Sequence, residues 1–341
     1  MCIFFTACSQ TQERVYSRFP TQQRIGYFDT LINFIGYAQD EDEFMQYTEI
    51  FFDTLGELHR LFDIFNPYEG VNNLYTINAN AGVSPVVVEQ PIIDMLQAAI
   101  GAYHMTDGMT NVAMGSVLRI WHEHRQRGIA HLDYGTIPYI NDLMNASILA
   151  NIDDIIIDVE NSTVFLRTPG MSLDVGAIAK GFATELAMQA AIDAGMPAAL
   201  VSAGGHVVAH GQPSARETWN VGIQNPDVSV GAPRVIDTVA FTDMTLSISG
   251  GYERFFEVDG QHLGHIIDPV TLMPANRFQQ VAVLHSSSWM ADILSTALFI
   301  LPLEEGWQMA LDNEAEVLWI DIDGEWFATP GYIRISAELG A

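Results

Sequence analysis

Apolar residues follow two kinds of spacing along the chain, and the change from one to the other divides the sequence. Residues 40–65, DEDEFMQYTEIFFDTLGELHRLFDIF, carry apolar side chains three and four apart, the spacing of a helix that buries one face, and Asp40 is placed to cap its first turn. Residues 88–105, VEQPIIDMLQAAIGAYHM, entered past Pro85, repeat that spacing, and further helices are expected around 115–126 and 138–150. Residues 24–38, RIGYFDTLINFIGYA, have strand character, whereas 66–82, NPYEGVNNLYTINANAG, are rich in turn residues and lack apolar periodicity. From residue 154 short β-rich runs take over. DIIIDVENSTVFLR predicts a hairpin turning at 160–162; a helix over 178–194, strands near 198–209, 219–224 and 235–249, and a hairpin turning at VDGQ follow. The last third adds a strand over 279–285, helices over 290–300 and 303–312, and a hairpin in EVLWIDIDGEWFAT. Mixed order without strict βαβ alternation, repeats or low-complexity linkers predicts an α+β fold with mixed, largely antiparallel sheets.

Composition narrows what such a fold can do. With 341 residues, about half of them apolar, the chain can bury a large core as one composite domain or two packed halves. Its 42 acidic residues against 14 basic ones give a formal charge of −28, which excludes nucleic acid and polybasic membrane contacts as partners. An anionic substrate then needs a local remedy such as a metal ion. Lys180 is the only lysine, the remaining basic residues being arginines. Both cysteines, Cys2 and Cys8, precede the predicted elements, so the folded body has neither disulfide nor cysteine metal site. The stretch FFTACSQ looks like the end of a lipoprotein signal in which Cys8 carries lipid, although a charged leading segment is missing. Residues 1–23 are therefore expected to be a truncated leader and tether, and 24–341 the folded domain; the plainer alternative is a disordered cytoplasmic N-terminus. No other stretch approaches the roughly 18–20 apolar residues of a membrane-spanning helix.

Four short segments carry candidate chemistry, each with a plainer structural explanation. SLDVGAIAKGFATE, 172–185, sets Asp174, two glycines and Lys180 where the chain turns into a helix, an arrangement suited to a phosphate or equally to an ordinary helix entry. The paired glycines of VSAGGHVVAHG, 201–211, suggest a bulge or backbone lying against a flat ligand, or tight strand packing. GHIIDP, 264–269, brings His265 and Asp268 within a few residues of a turn; on a strand they would face opposite ways. In ADILSTALFIL, 291–301, Asp292 and Thr296 interrupt an apolar helix one turn apart, either as oxygen donors for one hard cation or as a helix cap with the hydroxyl bonded back.

Taken together with SISGGYERFF and the upstream FDIFNPYEGVNNLYTIN and TDGMTNVAMGSVLRIWHEHR, these segments in this order resemble the ApbE family of FAD:protein FMN transferases, over about residues 24–330. The resemblance implies a composite of two intimately packed α/β halves and a Mg²⁺-dependent transfer of FMN from FAD to a threonine of target flavoproteins, with AMP released. It implies Asp292, Thr296 and the Ala177 carbonyl as magnesium ligands, and Phe28, Phe65, Met109, Thr110, Asn111, Asp174 and Lys180 as flavin-nucleotide contacts. His265, helped by Asp268, becomes the general base. The implied acceptors are flavoprotein subunits of membrane electron-transport complexes, and the implied location is extracytoplasmic, at a bacterial cell membrane. A FAD pyrophosphatase and a non-catalytic flavin-binding lipoprotein are the alternatives. Asn111 and Ala113 stand where many relatives have aspartate and threonine, and Gly251 where an aspartate is common.

Overall fold

The computed structural model describes residues 15–130, 135–213, 217–227, 229–252 and 254–340, so Cys8 lies outside the described residues. In chain order the elements are β1 (Ser17–Arg18), β2 (Gln22–Tyr27), β3 (Thr30–Ala38), α1 (Glu41–Phe62), α2 (Leu74–Ala79), β4 (Val86–Val87), α3 (Gln90–Met105), α4 (Gly115–Ala130) and α5 (Ile140–Ser147). They continue with β5 (Ile155–Asp158), β6 (Thr163–Leu166), α6 (Ala179–Asp193), β7 (Ala198–Ala203), β8 (His206–His210), β9 (Trp219–Gln224), β10 (Val235–Phe241), β11 (Thr245–Gly250), β12 (Phe255–Val258) and β13 (Gln261–Gly264). The chain closes with β14 (Phe278–His285), α7 (Ser288–Ile300), α8 (Leu303–Asp312), β15 (Glu316–Asp321), β16 (Trp326–Ala328) and α9 (Pro330–Ile335).

Among the described residues nine strands form one antiparallel sheet in the order β1-β3-β7-β8-β11-β14-β15-β16, with β2 also paired to β3. Alternation along the strands assigns its two faces. Ile32 and Phe34 of β3 pack with the helical core that includes Phe44, Phe51 and Leu55 of α1, while Ile35 and Tyr37 turn to the opposite face. On β14, Val281 and Val283 meet Leu294 and Leu298 of α7, whereas Ala282 and Leu284 join Trp219, Val239 and Tyr332 from β9, β10 and α9. Helices α1, α6 and α7 thus cover one face, and the β9–β10 ribbon with α9 covers the other. A smaller cluster, built on Trp121 of α4, Leu143 of α5 and Phe256 and Leu263 of the β12–β13 hairpin, flanks this body. The α+β class with antiparallel sheets is as expected.

The predicted elements are present, with instructive departures. Asp40 caps α1 by accepting from the Glu43 N–H at 2.9 Å. The strand expected over 24–38 is a hairpin: Tyr27 pairs with Thr30, and Phe28 and Asp29 between them take φ of 50° and 53°. Two consecutive positive-φ residues make the tight turn that matches strand twist, and here no glycine announces it. The strand expected over 198–209 is likewise two strands, because Gly204 and Gly205, with φ of 51° and 76°, turn the chain between Ala203 and His206. The paired glycines are therefore a turn and not a bulge. A third turn, with Asp243 at φ 50°, divides 235–249. Within the segment read as turns only, Asn73 caps the short α2 by accepting from the Thr76 N–H; six residues are too few for a helical period to register. Ser17–Arg18 and the start of β2, inside the stretch expected to be tether, already pair with β3.

Helices α6 and α7 cross at Gly181, and this crossing positions the site. A Cβ on Gly181 would lie 2.7 Å from the Ser288 carbonyl oxygen, 2.8 Å from Asp292 Cβ and 2.9 Å from Trp289 Cα. Two of these obstacles are backbone and cannot swing away. Gly181→Ala is expected to lower unfolding free energy on the order of 1–3 kcal/mol, read by urea denaturation, as overpacking does elsewhere.

Candidate active site

A cavity of about 850 Å³ opens between the β2–β3 turn, the end of α1, the 109–114 loop, the start of α6, β11, the 264–267 segment and α7. Every predicted site residue except Asp268 borders it. The chain segments that carry them are far apart in sequence, and the two hairpin turns, at Phe28 and Gly204, border the same cavity.

Asp292 sits in the second turn of α7, which begins at Ser288, so it is not the helix cap. It is 5% exposed. Its Oδ1 accepts from Lys180 Nζ at 3.2 Å and from Ser247 Oγ at 3.2 Å, and its Oδ2 accepts from the Gly181 N–H at 2.9 Å. Burial works against ionisation, but the Lys180 ammonium and the Gly181 N–H hold the carboxyl below its ordinary value. A carboxylate offers about four acceptor positions, and three donors leave one open. The Thr296 hydroxyl bonds back to the Asp292 carbonyl at 3.4 Å, a long contact that leaves its lone pairs free for the cavity it borders, and Ala177 lines the same cavity.

Behind this corner lies a fully buried histidine that the sequence reading missed. His206 Nε2 is 2.7 Å from Ser288 Oγ, which donates to the Gly181 carbonyl at 2.9 Å. With the serine proton so used, Nε2 must carry the imidazole hydrogen. Nδ1, 3.7 Å from Asp292 Oδ1, has no hydrogen-bond partner. Burial, with Lys180 nearby, pushes this imidazole down to about 3, so it is neutral.

The expected nucleotide contacts divide by what their side chains are already doing. Phe28 is half-buried, edge-on to His59 at 5.3 Å between ring centres, and Phe65 is 57% exposed with its ring 5.4 Å from that of His122. Both present ring surface to the cavity. Thr110 Oγ1 is bound to Thr106 Oγ1 at 2.9 Å, and Asn111 donates to the Ala150 carbonyl and accepts from the Ala113 N–H, each at 2.9 Å. These two therefore shape the 109–114 loop, and an aspartate at 111 would lack the donor that Ala150 uses. Asp174 accepts from the Gly176 N–H at 2.9 Å; burial raises its pKa against the pull of that N–H and of His122 and Arg125.

His265 is half-buried on the cavity wall, with its Nδ1 buried and unpartnered. Burial first, then the nearby Arg254, Arg125 and Lys180, push it down to about 4, so it too is neutral near pH 7. Asp268 is not on that wall. Its carboxylate accepts from the Val270 and Thr271 N–H groups at 2.7 and 3.2 Å and closes the turn that Pro269 begins, which takes it away from His265. The helper expected for His265 is thus a turn residue. Arg125, Arg254 and His122 border the cavity and were not foreseen, although His122 and Arg125, three apart on α4, share a helix face.

The model of the ApbE family matches residues 28–319 of the chain. The chain is 30% identical over 259 residues to a FAD:protein FMN transferase of Klebsiella pneumoniae (strain 342), spanning 72% of this chain and 76% of that one. It is 33% identical over 246 residues to a FAD:protein FMN transferase of Treponema pallidum (strain Nichols), spanning 68% and 66%. In structure it is similar to the ApbE protein of Thermotoga maritima, with a TM-score of 0.81 at 23% identity over 93% of this chain and 98% of that one.

The two neutral imidazoles, His206 and His265, set a pH dependence of stability. Their folded-state values, about 3 and about 4, lie below the ordinary 6.5, so as pH falls the unfolded chain takes up protons that the folded chain refuses. The stability they permit is complete above about pH 6.5 and is lost below it, roughly 2 kcal/mol for each imidazole by pH 5. Urea denaturation at pH 7.5 and pH 5 should show His265→Gln losing less stability between the two than the parent, by about that amount.

Proposed function

The chain belongs to the ApbE family, and from that premise we propose that it is a magnesium-dependent FAD:protein FMN transferase. In this reading it joins the FMN half of FAD to a threonine hydroxyl of an acceptor flavoprotein and releases AMP. One observation supports the reading: Asp292, Thr296 and Ala177, each able to offer an oxygen donor, border one cavity with Lys180 and His265, and Lys180 donates to Asp292. The cavity, at about 850 Å³, lies toward the large end of ligand pockets, as a dinucleotide with two ring systems requires.

The donor set fits magnesium. An ionised carboxylate with an acceptor position to spare, a hydroxyl and a carbonyl are hard oxygen ligands, and magnesium takes few protein ligands when phosphate oxygens complete its shell. Held by these three residues, it would neutralise charge on the diphosphate. The remaining work belongs to the chain. Phe28 and Phe65 offer ring faces to the planar groups of FAD, and the backbone of the 109–111 loop lines their bed. His265, neutral and with a bare Nδ1, accepts the threonine proton. The threonine oxygen bonds to the FMN-side phosphorus, the bond from that phosphorus to the bridging oxygen breaks, and its electron pair leaves with AMP. The diphosphate also offsets the three cations that depress His265, so the imidazole becomes a stronger base with substrate present.

The reading extends to flavoprotein subunits of membrane electron-transport complexes as acceptors and to an extracytoplasmic, lipid-anchored chain at a bacterial cell membrane. Its support there is the FFTACSQ stretch with Cys8; no described helix is long and apolar enough to cross a membrane.

Incubation with FAD, Mg²⁺ and an acceptor domain bearing a flavinylation threonine should add one FMN to the acceptor, seen by mass spectrometry, and EDTA should abolish the adduct. Asp292→Ala should lower the rate at least a hundredfold, since it removes the charged ligand. Full activity in that variant would sink the metal assignment, and metal-dependent AMP release without adduct would make the protein a FAD pyrophosphatase.

A further inference from the structure

We propose that Arg125, with Arg254 beside it, recognises the diphosphate of the substrate through a bidentate contact that requires no metal. This rests on the flavin-transferase reading and deepens it, by assigning the substrate's charge to residues outside the magnesium corner.

Of the chain's 14 basic residues, Lys180, Arg125 and Arg254 border the cavity. Lys180 is committed to Asp292, so that pole is neutral by itself. Among the described residues neither Arg125 nor Arg254 has a carboxylate within ion-pairing distance, although Asp174 borders the same cavity. Arg125 is half-buried and held in place: its Nη2 donates to His122 Nδ1 at 3.1 Å. Residues 122, 125 and 126 lie on one face of α4, so the guanidinium is pre-positioned by its own helix. Burial and the neighbouring Arg254 both disfavour its charge, a cost that an anion would remove. His265, whose Nδ1 is buried and unpartnered, borders the same cavity, and the positive charge of both arginines acts on it.

Two guanidinium charges match the two negative charges of a diphosphate diester, and a planar fork matches phosphate oxygens in a way an ammonium cannot. Arg125 therefore separates a diphosphate from the corresponding uncharged nucleoside.

The test is calorimetric binding of ADP and of adenosine in EDTA to the parent, Arg125→Gln and Arg125→Lys, with melting curves to confirm folding. Arg125→Gln should weaken ADP by about ten- to a hundredfold and leave adenosine within about twofold, and Arg125→Lys should recover only part of the loss. Unchanged ADP binding in Arg125→Gln, or an equal loss for ADP and adenosine, overturns the inference while leaving the transferase reading in place. A parent protein that binds neither FAD nor ADP, with or without Mg²⁺, overturns both.

Discussion

The buried Asp292 carboxylate is the junction on which the rest of the site depends. It takes hydrogen bonds from α6 through Gly181 and Lys180 and from β11 through Ser247, while its own helix packs against β14. An unpaired charge at this depth would be strongly destabilising, so these donors and the carboxylate require one another. The glycine that lets the helices touch and the N–H that satisfies the acid are the same residue. Fold and chemistry therefore share one set of contacts, with the cavity on one side and the His206–Ser288 pair behind it.

The charge pattern points the same way. A surface carrying a large negative excess repels nucleotides at long range, so recognition has to be local and enclosed. The cations that border the cavity are drawn from different parts of the chain: Lys180 from α6, Arg125 from α4 and Arg254 from the approach to β12. The fold brings all three to one cavity, which Asp29, Asp63, Asp174 and Asp292 also border.

Much of this was legible in the sequence, and the exceptions share a cause. Apolar spacing located α1 and α3, because long helices repeat their signal several times, and the order of motifs pointed to residues that border one cavity. Turns without a glycine signal, such as Phe28 and Asp29, were read as continuous strand. Asp268 resembled a partner for His265 by proximity along the chain, whereas backbone N–H groups two and three residues on had already engaged it. His206 and Arg125 escaped notice because their roles come from contacts 82 residues away and across the cavity respectively, which spacing does not encode.

Asp292 stands between Ala291 and Ile293, both essentially inaccessible, on a helix whose next turns are equally buried. Sites assembled on mobile loops open locally long before their domains melt, since local opening there breaks few contacts. This corner has no such route: freeing the acid means separating α7 from both α6 and the central sheet. Its amide hydrogens therefore belong to the slowest-exchanging set of the protein, and heat inactivation coincides with cooperative unfolding instead of preceding it.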